Sequence, residues 1–127
     1  MRLLLIVEDD LETRATMAAL LSEVGYSVCD AADGPKALEK LRSLRPDLVL
    51  LDYGLPGPKG GEDFLRAKAA DAELASIQVV VVSAYDLPSQ IDGTVAVIRK
   101  PFDFDRLLAV IRRFVGPPQK PNTNAAA

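Results

Sequence analysis

Short runs of consecutive apolar residues, separated by stretches long enough for one amphipathic helix each, constrain this chain more than any other feature. Residues 3–7, 48–51, 79–82 and 95–98 are continuously apolar rather than alternating, the pattern of strands buried on both faces. Residues 26–29 form a weaker candidate strand. Between the runs, Met17, Leu20, Leu21 and Val24 recur at helical spacing, with Gly25 placed to end that helix. Ala37, Leu38, Leu41 and Leu44 repeat the pattern behind Pro35, which suits a first helical turn, and Pro46 follows the end. Phe64, Leu65 and residues 67–70 support a third helix. Leu107, Leu108, Ile111 and Phe114 make a last one, with Asp103 as N-cap and Gly116 as stop.

Strands that alternate with helices imply βαβ crossovers and a doubly wound parallel sheet, an α/β fold covered on both faces. At 127 residues there is room for one such domain. We assign it residues 1–115. Residues 116–127 lose the periodicity and read as a disordered tail or linker. In open parallel sheets, ligands bind beyond the carboxyl ends of the strands, so the polar residues there carry the functional information.

Those residues follow a rule. The first strand runs into Glu8, Asp9 and Asp10, the third into Asp52, the fourth into Ser83 and the fifth into Lys100. A parallel sheet brings all of them to one edge. Carboxylates crowded together repel one another, and a hard divalent cation with oxygen ligands relieves that repulsion. Mg²⁺ suits one or two carboxylates with waters and a phosphoryl oxygen. Lys100 adds a positive charge and Ser83 a hydroxyl, so the edge fits an anion held near a carboxylate. Transfer of a phosphoryl group to an aspartate is chemistry of this kind, resting on positioning and charge neutralisation. Other chemistries are excluded. Without histidine, and with Cys29 as the sole cysteine, the chain has no Ser-His-Asp or Cys-His machinery, no internal disulfide and no Cys/His metal site. A net charge of -3 argues against direct nucleic-acid binding. The longest early apolar run stops at Glu8, too short for a signal peptide or membrane span. A cytoplasmic protein with no membrane contact is expected.

The ordered set Ile6-Val7-Glu8-Asp9-Asp10, Leu50-Leu51-Asp52-Tyr53-Gly54-Leu55-Pro56, Gly60, Val82-Ser83-Ala84 and Lys100-Pro101-Phe102 resembles the receiver domain of two-component response regulators. The resemblance runs from Met1 to about Val115. It implies a flavodoxin-like five-stranded sheet of order 2-1-3-4-5, phosphorylated by a histidine kinase or a histidine phosphotransfer protein and switching a partner. The module would assist its own phosphorylation and dephosphorylation without being an enzyme on a separate substrate. Carried over by position, Asp52 is the phosphoacceptor. Glu8, Asp9, Asp52 and the Gly54 carbonyl form the Mg²⁺ site, Glu8 acting through water. Ser83 and Lys100 hold the phosphoryl group, and the Lys100–Pro101 bond is cis. Gly54 and Tyr85 occupy the positions that tune the lifetime of the phosphoryl group.

Each residue also has a plainer reading. Asp10 is best taken as a helix N-cap, Cys29 as a small core residue, and Arg99, Arg112, Arg113 and Lys120 as solvated charges. Residues 56–61 suggest a rigid turn rather than a phosphate loop, since the P-loop Lys-Ser pair is missing. Two other functions compete: a receiver that only binds partners, and an enzyme on the same architecture. An aspartyl-phosphate phosphatase calls for a second aspartate where Gly54 stands, and a flavin site calls for hydroxyls where the chain has acids. The chain also departs from its likeness. Pro88 and Gly93 fall between Ser83 and Lys100, so the helix expected between the last two strands should be shortened or missing. Val97 stands where such domains carry a rotating aromatic, and a valine is stiff at χ1. Phosphorylation is then expected to order residues 85–94 instead.

Overall fold

Alternate residues of a strand point to opposite faces of its sheet, and this explains the unbroken apolar runs. In the computed structural model, which describes residues 2–54, 60–84, 87, 88 and 90–118, both faces are covered. The strands β1 (Leu3–Val7), β2 (Ser27–Ala31), β3 (Leu48–Asp52), β4 (Gln78–Ser83) and β5 (Ala96–Arg99) form one sheet in the order β2-β1-β3-β4-β5, every neighbouring pair parallel. Among the described residues the helices are α1 (Leu11–Val24), α2 (Gly34–Leu44), α3 (Gly61–Ala70) and α4 (Phe104–Val115).

Leu5, Val7, Val49, Leu51, Val79 and Val81 pack on one side with Ala37 and Leu41 of α2 and Phe64 and Leu65 of α3. Leu4, Ile6, Leu48, Leu50, Val80 and Ile98 pack on the other with Leu21 of α1 and Leu107 and Ile111 of α4. Full burial of such side chains is worth about 1.5–3 kcal/mol each, and the two clusters clamp the sheet between helix pairs. Asp10, Asp33 and Asp103 each accept a hydrogen bond from the backbone N–H three residues on, capping α1, α2 and α4. Gly25, at φ 119°, ends α1 in the left-handed conformation that glycine adopts without penalty.

The structure moves several expected boundaries. The second strand covers Ser27–Ala31, not 26–29. Tyr26 is buried on the α1/α4 side instead, and its hydroxyl donates to the Gly116 carbonyl at 2.7 Å. The last strand begins at Ala96, paired with Val80, so Val95 stays 38% exposed although its N–H still donates to Val79. Leu20 (39% exposed) and Leu44 (47% exposed) lie off the buried faces. Leu21, four residues after Met17, packs on the sheet as expected, while Leu20 beside it does not. Leu44 is the last residue of α2, where the chain turns away through Arg45 at φ 50°.

Between β4 and β5 none of the described residues is helical, in keeping with Pro88 and Gly93, which disfavour a long helix there. Thr94 closes a turn there: its N–H and hydroxyl both donate to the Ile91 carbonyl, with Gly93 at φ 84°. Leu87, Ile91 and Val97 pack against the α2/α3 cluster. Tyr85, residues 55–59 and residues 119–127 lie outside the described residues, and with them most of the expected tail.

Candidate functional site at the carboxyl edge of the sheet

Strand register builds the site. Val7 pairs with Leu51, Asp52 with Val82, and Ser83 with Arg99. The residues that follow, Glu8 and Lys100, therefore flank Asp52 and Ser83 along one edge. One carboxylate oxygen from each of Glu8, Asp9 and Asp52 lies within 4.8 Å of the others. The Lys100 ammonium stands 3.8 Å from Asp52 Oδ2 and 3.9 Å from Glu8 Oε1. Gly54 is turned back over the strand end, its N–H donating to Asp52 Oδ1 at 3.1 Å. Ser83 is fully buried, and its carbonyl accepts the Lys100 N–H at 2.7 Å, fixing the two switch candidates side by side. The Lys100–Pro101 peptide is cis. Asp10, by contrast, is turned to Thr13, whose hydrogen bonds hold its carboxyl below the usual range.

Glu8 is the strained member of the set. It is only 5% exposed, and burial, a hydrogen bond shared with Asp52 and the charges of Asp52 and Asp9 push it up to about 8 against the opposing pull of Lys100. Its Oε2 is buried without a hydrogen-bond partner, a costly state for a carboxylate oxygen. Three acids facing one ammonium leave excess negative charge. A hard cation fits this oxygen-only set, since oxygens at such separations can share one ion directly or through its waters. The orphaned Glu8 oxygen is the mark of that fit.

Residues 4–112 match the family described as "Response regulator receiver domain". The chain belongs to that family. It is 33% identical over 117 residues to Sporulation initiation phosphotransferase F of Bacillus subtilis, covering 88% of this chain and 92% of the relative. Among solved structures it is similar to the response regulator protein TrrA of Thermotoga maritima in complex with Mg(2+)-BeF. That likeness has 28% identity and a TM-score of 0.78, covering 91% of this chain and 100% of that one. TrrA in complex with the histidine kinase ThkA matches with 25% identity and the same TM-score, covering 91% and 99%. The chain is thus a signalling receiver domain of two-component systems with an acidic pocket at its sheet edge. Among the described residues no helix is long and apolar enough to cross a membrane.

Two side chains of this receiver belong to no motif of the sequence. The guanidinium of Arg14 donates through Nη1 to the Glu8 carbonyl at 2.8 Å. Lys68 is almost fully buried, burial lowers its pKa, and its ammonium donates to the Ala75 carbonyl at 2.9 Å. Both partners are backbone oxygens, which no pattern of residue types announces. The one available cue for Arg14 is its position one turn inside the helix that follows the acids.

Proposed function

We propose that this receiver accepts a phosphoryl group on Asp52 from a histidine kinase or a histidine phosphotransfer protein and passes the change to a partner. The reading rests on one observation above all: Asp52, Glu8 and Asp9 converge around a buried oxygen with no partner, with Lys100 facing them. The kinase complex of TrrA supports the choice of donor, and the Mg(2+)-BeF complex of the same protein supports Mg²⁺.

Glu8, Asp9, Asp52 and the Gly54 carbonyl would hold Mg²⁺, Glu8 through water. The ion supplies positive charge that offsets the phosphoryl oxygens as they approach the acids. An Asp52 oxygen attacks phosphorus, a P–O bond forms, and the P–N bond to the donor imidazole breaks, the imidazole taking a proton from solvent. Lys100 pairs with the phosphoryl group and Ser83 donates a hydrogen bond to it. Lys100 is then drawn from Glu8 and Asp52, and with Ser83 it pulls on the segment joining β4 to β5. Residues 85–94 of that segment are the element we expect phosphorylation to order. Gly54 and Tyr85 occupy the positions that would set the lifetime of the phosphoryl group: Gly54 offers no side chain to place a water, and a tyrosine two residues after Ser83 would hinder attack on the anhydride, so Tyr85→Ala should hydrolyse faster. The receiver occupies residues 1–115, with 116–127 a tail or linker, in a cytoplasmic protein that touches neither nucleic acid nor membrane itself.

Incubation with acetyl phosphate and Mg²⁺, read by intact mass, tests the reading. A gain of one phosphoryl group that disappears in Asp52→Ala and in EDTA is expected. A gain that survives Asp52→Ala would overturn the acceptor assignment, and an undiminished gain in EDTA the metal.

A further inference from the structure

The geometry points to Arg14 as a positioning residue that sets the direction of both acids at the end of β1, an inference that rests on the cation reading above. The Glu8 carbonyl, which Arg14 grips through Nη1, belongs to the peptide unit joining Glu8 to Asp9. Rotating that unit turns the Cα of each acid, and with it both carboxylates. The unit before it is held as well, because the Glu8 N–H donates to the Ala31 carbonyl at 3.1 Å, at the end of β2. Glu8 is thereby fixed on both sides of its Cα, on one by the neighbouring strand and on the other by a side chain from the following helix.

The repulsion in the pocket gives this grip something to oppose. Glu8 and Asp9 are adjacent and both face Asp52, so ionising all three, as a bound cation requires, works against this alignment of the β1–α1 link. A hydrogen bond from a charged donor is among the stronger ones, and the Arg14 side chain is itself largely shielded, 15% exposed. Its other flank is held in turn. Asp30 of β2 places Oδ2 3.7 Å from Arg14 Nε, while its Oδ1 lies 3.9 Å from the Lys40 ammonium of α2. Lys40 also donates to the Asp30 carbonyl. Together these residues line a surface cavity of about 480 Å³ between α1 and α2. An ordered line thus runs from Lys40 through Asp30 and Arg14 to the backbone between the two acids. Groups that orient metal ligands in this way commonly change affinity by about 10–100-fold when removed. Arg14 holds backbone rather than a ligand atom, so the low end is expected.

Titration with MgCl2, followed by NMR at the Gly54 amide that bonds to Asp52, tests the role. Arg14→Ala should bind Mg²⁺ about tenfold more weakly than the parent chain. Arg14→Lys should recover part of the loss, since its ammonium can donate to the Glu8 carbonyl but lacks the two separate arms, Nη1 and Nε, with which the guanidinium meets Glu8 and Asp30. Asp30→Asn should weaken binding in the same direction and by less. Tyr26→Phe, at the far end of the sheet, serves as the comparison: it removes a hydrogen bond and lowers stability but should leave Mg²⁺ affinity unchanged. Equal affinity in the parent, Arg14→Lys and Asp30→Asn would overturn the role even if Arg14→Ala fails to fold. A matching loss in Tyr26→Phe would overturn it too, by showing a general response to stability. A parent that shows no saturable shift with Mg²⁺ would remove the cation reading, and this role with it.

Discussion

Replacing Glu8 by glutamine should stabilise the metal-free protein while removing its response to Mg²⁺. Glu8 is pushed from 4.5 to about 8 by burial and by its acidic neighbours. Between those values the folded state holds a proton that the unfolded state has released. Stability therefore falls as the pH climbs through that window, is greatest below 4.5, and levels off above about 8. At about 1.4 kcal/mol per pH unit, keeping this side chain folded without a cation at pH 7 costs on the order of 3 kcal/mol. Glutamine keeps the shape without the charge, and its amide can donate to Asp52. Glu8→Gln should recover about 1–3 kcal/mol of that cost at pH 7, little near pH 4.5, and more toward pH 8. Urea unfolding in EDTA across this range, parent against variant, measures the difference directly. Millimolar Mg²⁺ should then stabilise the parent by mass action and leave the variant where it was. A Glu8→Gln protein no more stable than the parent at pH 7 in EDTA, or a difference independent of pH, would refute the reasoning.

Lys100→Met removes the ammonium that lies 3.8 Å from Asp52, so Mg²⁺ should bind several-fold more tightly while acceptance from acetyl phosphate slows by about 100-fold; NMR titration and intact mass read the two effects. Gly61→Ala would bring a Cβ to 3.0 Å from the Tyr53 Cα and 3.1 Å from its carbonyl. Since Tyr53 adjoins Asp52, the variant should lose about 1–3 kcal/mol in urea unfolding and phosphorylate more slowly. Tyr26→Phe gives up the hydrogen bond to Gly116 and should cost about 1 kcal/mol by the same unfolding assay.

The sheet was readable in the sequence because burial on both faces leaves no polar residue inside the runs of β1, β3 and β4. The polar residues that end those runs mark the edge, and a parallel sheet has one edge where they can meet. Caps were legible for the same local reason: Asp10 and Asp103 act within three residues of themselves. Helix faces were less so. Leu20 and Leu21 are both apolar, and only the sheet's position decides which of them is covered. Arg14 and Lys68 escaped altogether, because a long side chain that donates to a backbone carbonyl leaves no spacing to detect. Lys68 sits in an alanine-rich turn of α3 where a lysine would ordinarily be read as solvated, yet it is 2% exposed.

The strand order also sets a timetable for the chain as it is made. All neighbouring strands run parallel, so no pair can close as a hairpin and each waits for a whole crossover to be synthesised, the slow kind of topology. β1 lies between β2 and β3, and it has both partners once the chain has passed Asp52. After that each new strand meets a finished edge, β4 on β3 and β5 on β4, so the sheet can grow in the direction of translation. Glu8 and Asp9 lie in the turn after β1 and Asp52 ends β3, whereas Lys100 follows β5, the last strand of the sheet in chain order. A chain cut short before β5 would hold all three acids without the ammonium that faces them in the finished fold, and a cation would be the counter-charge left to them.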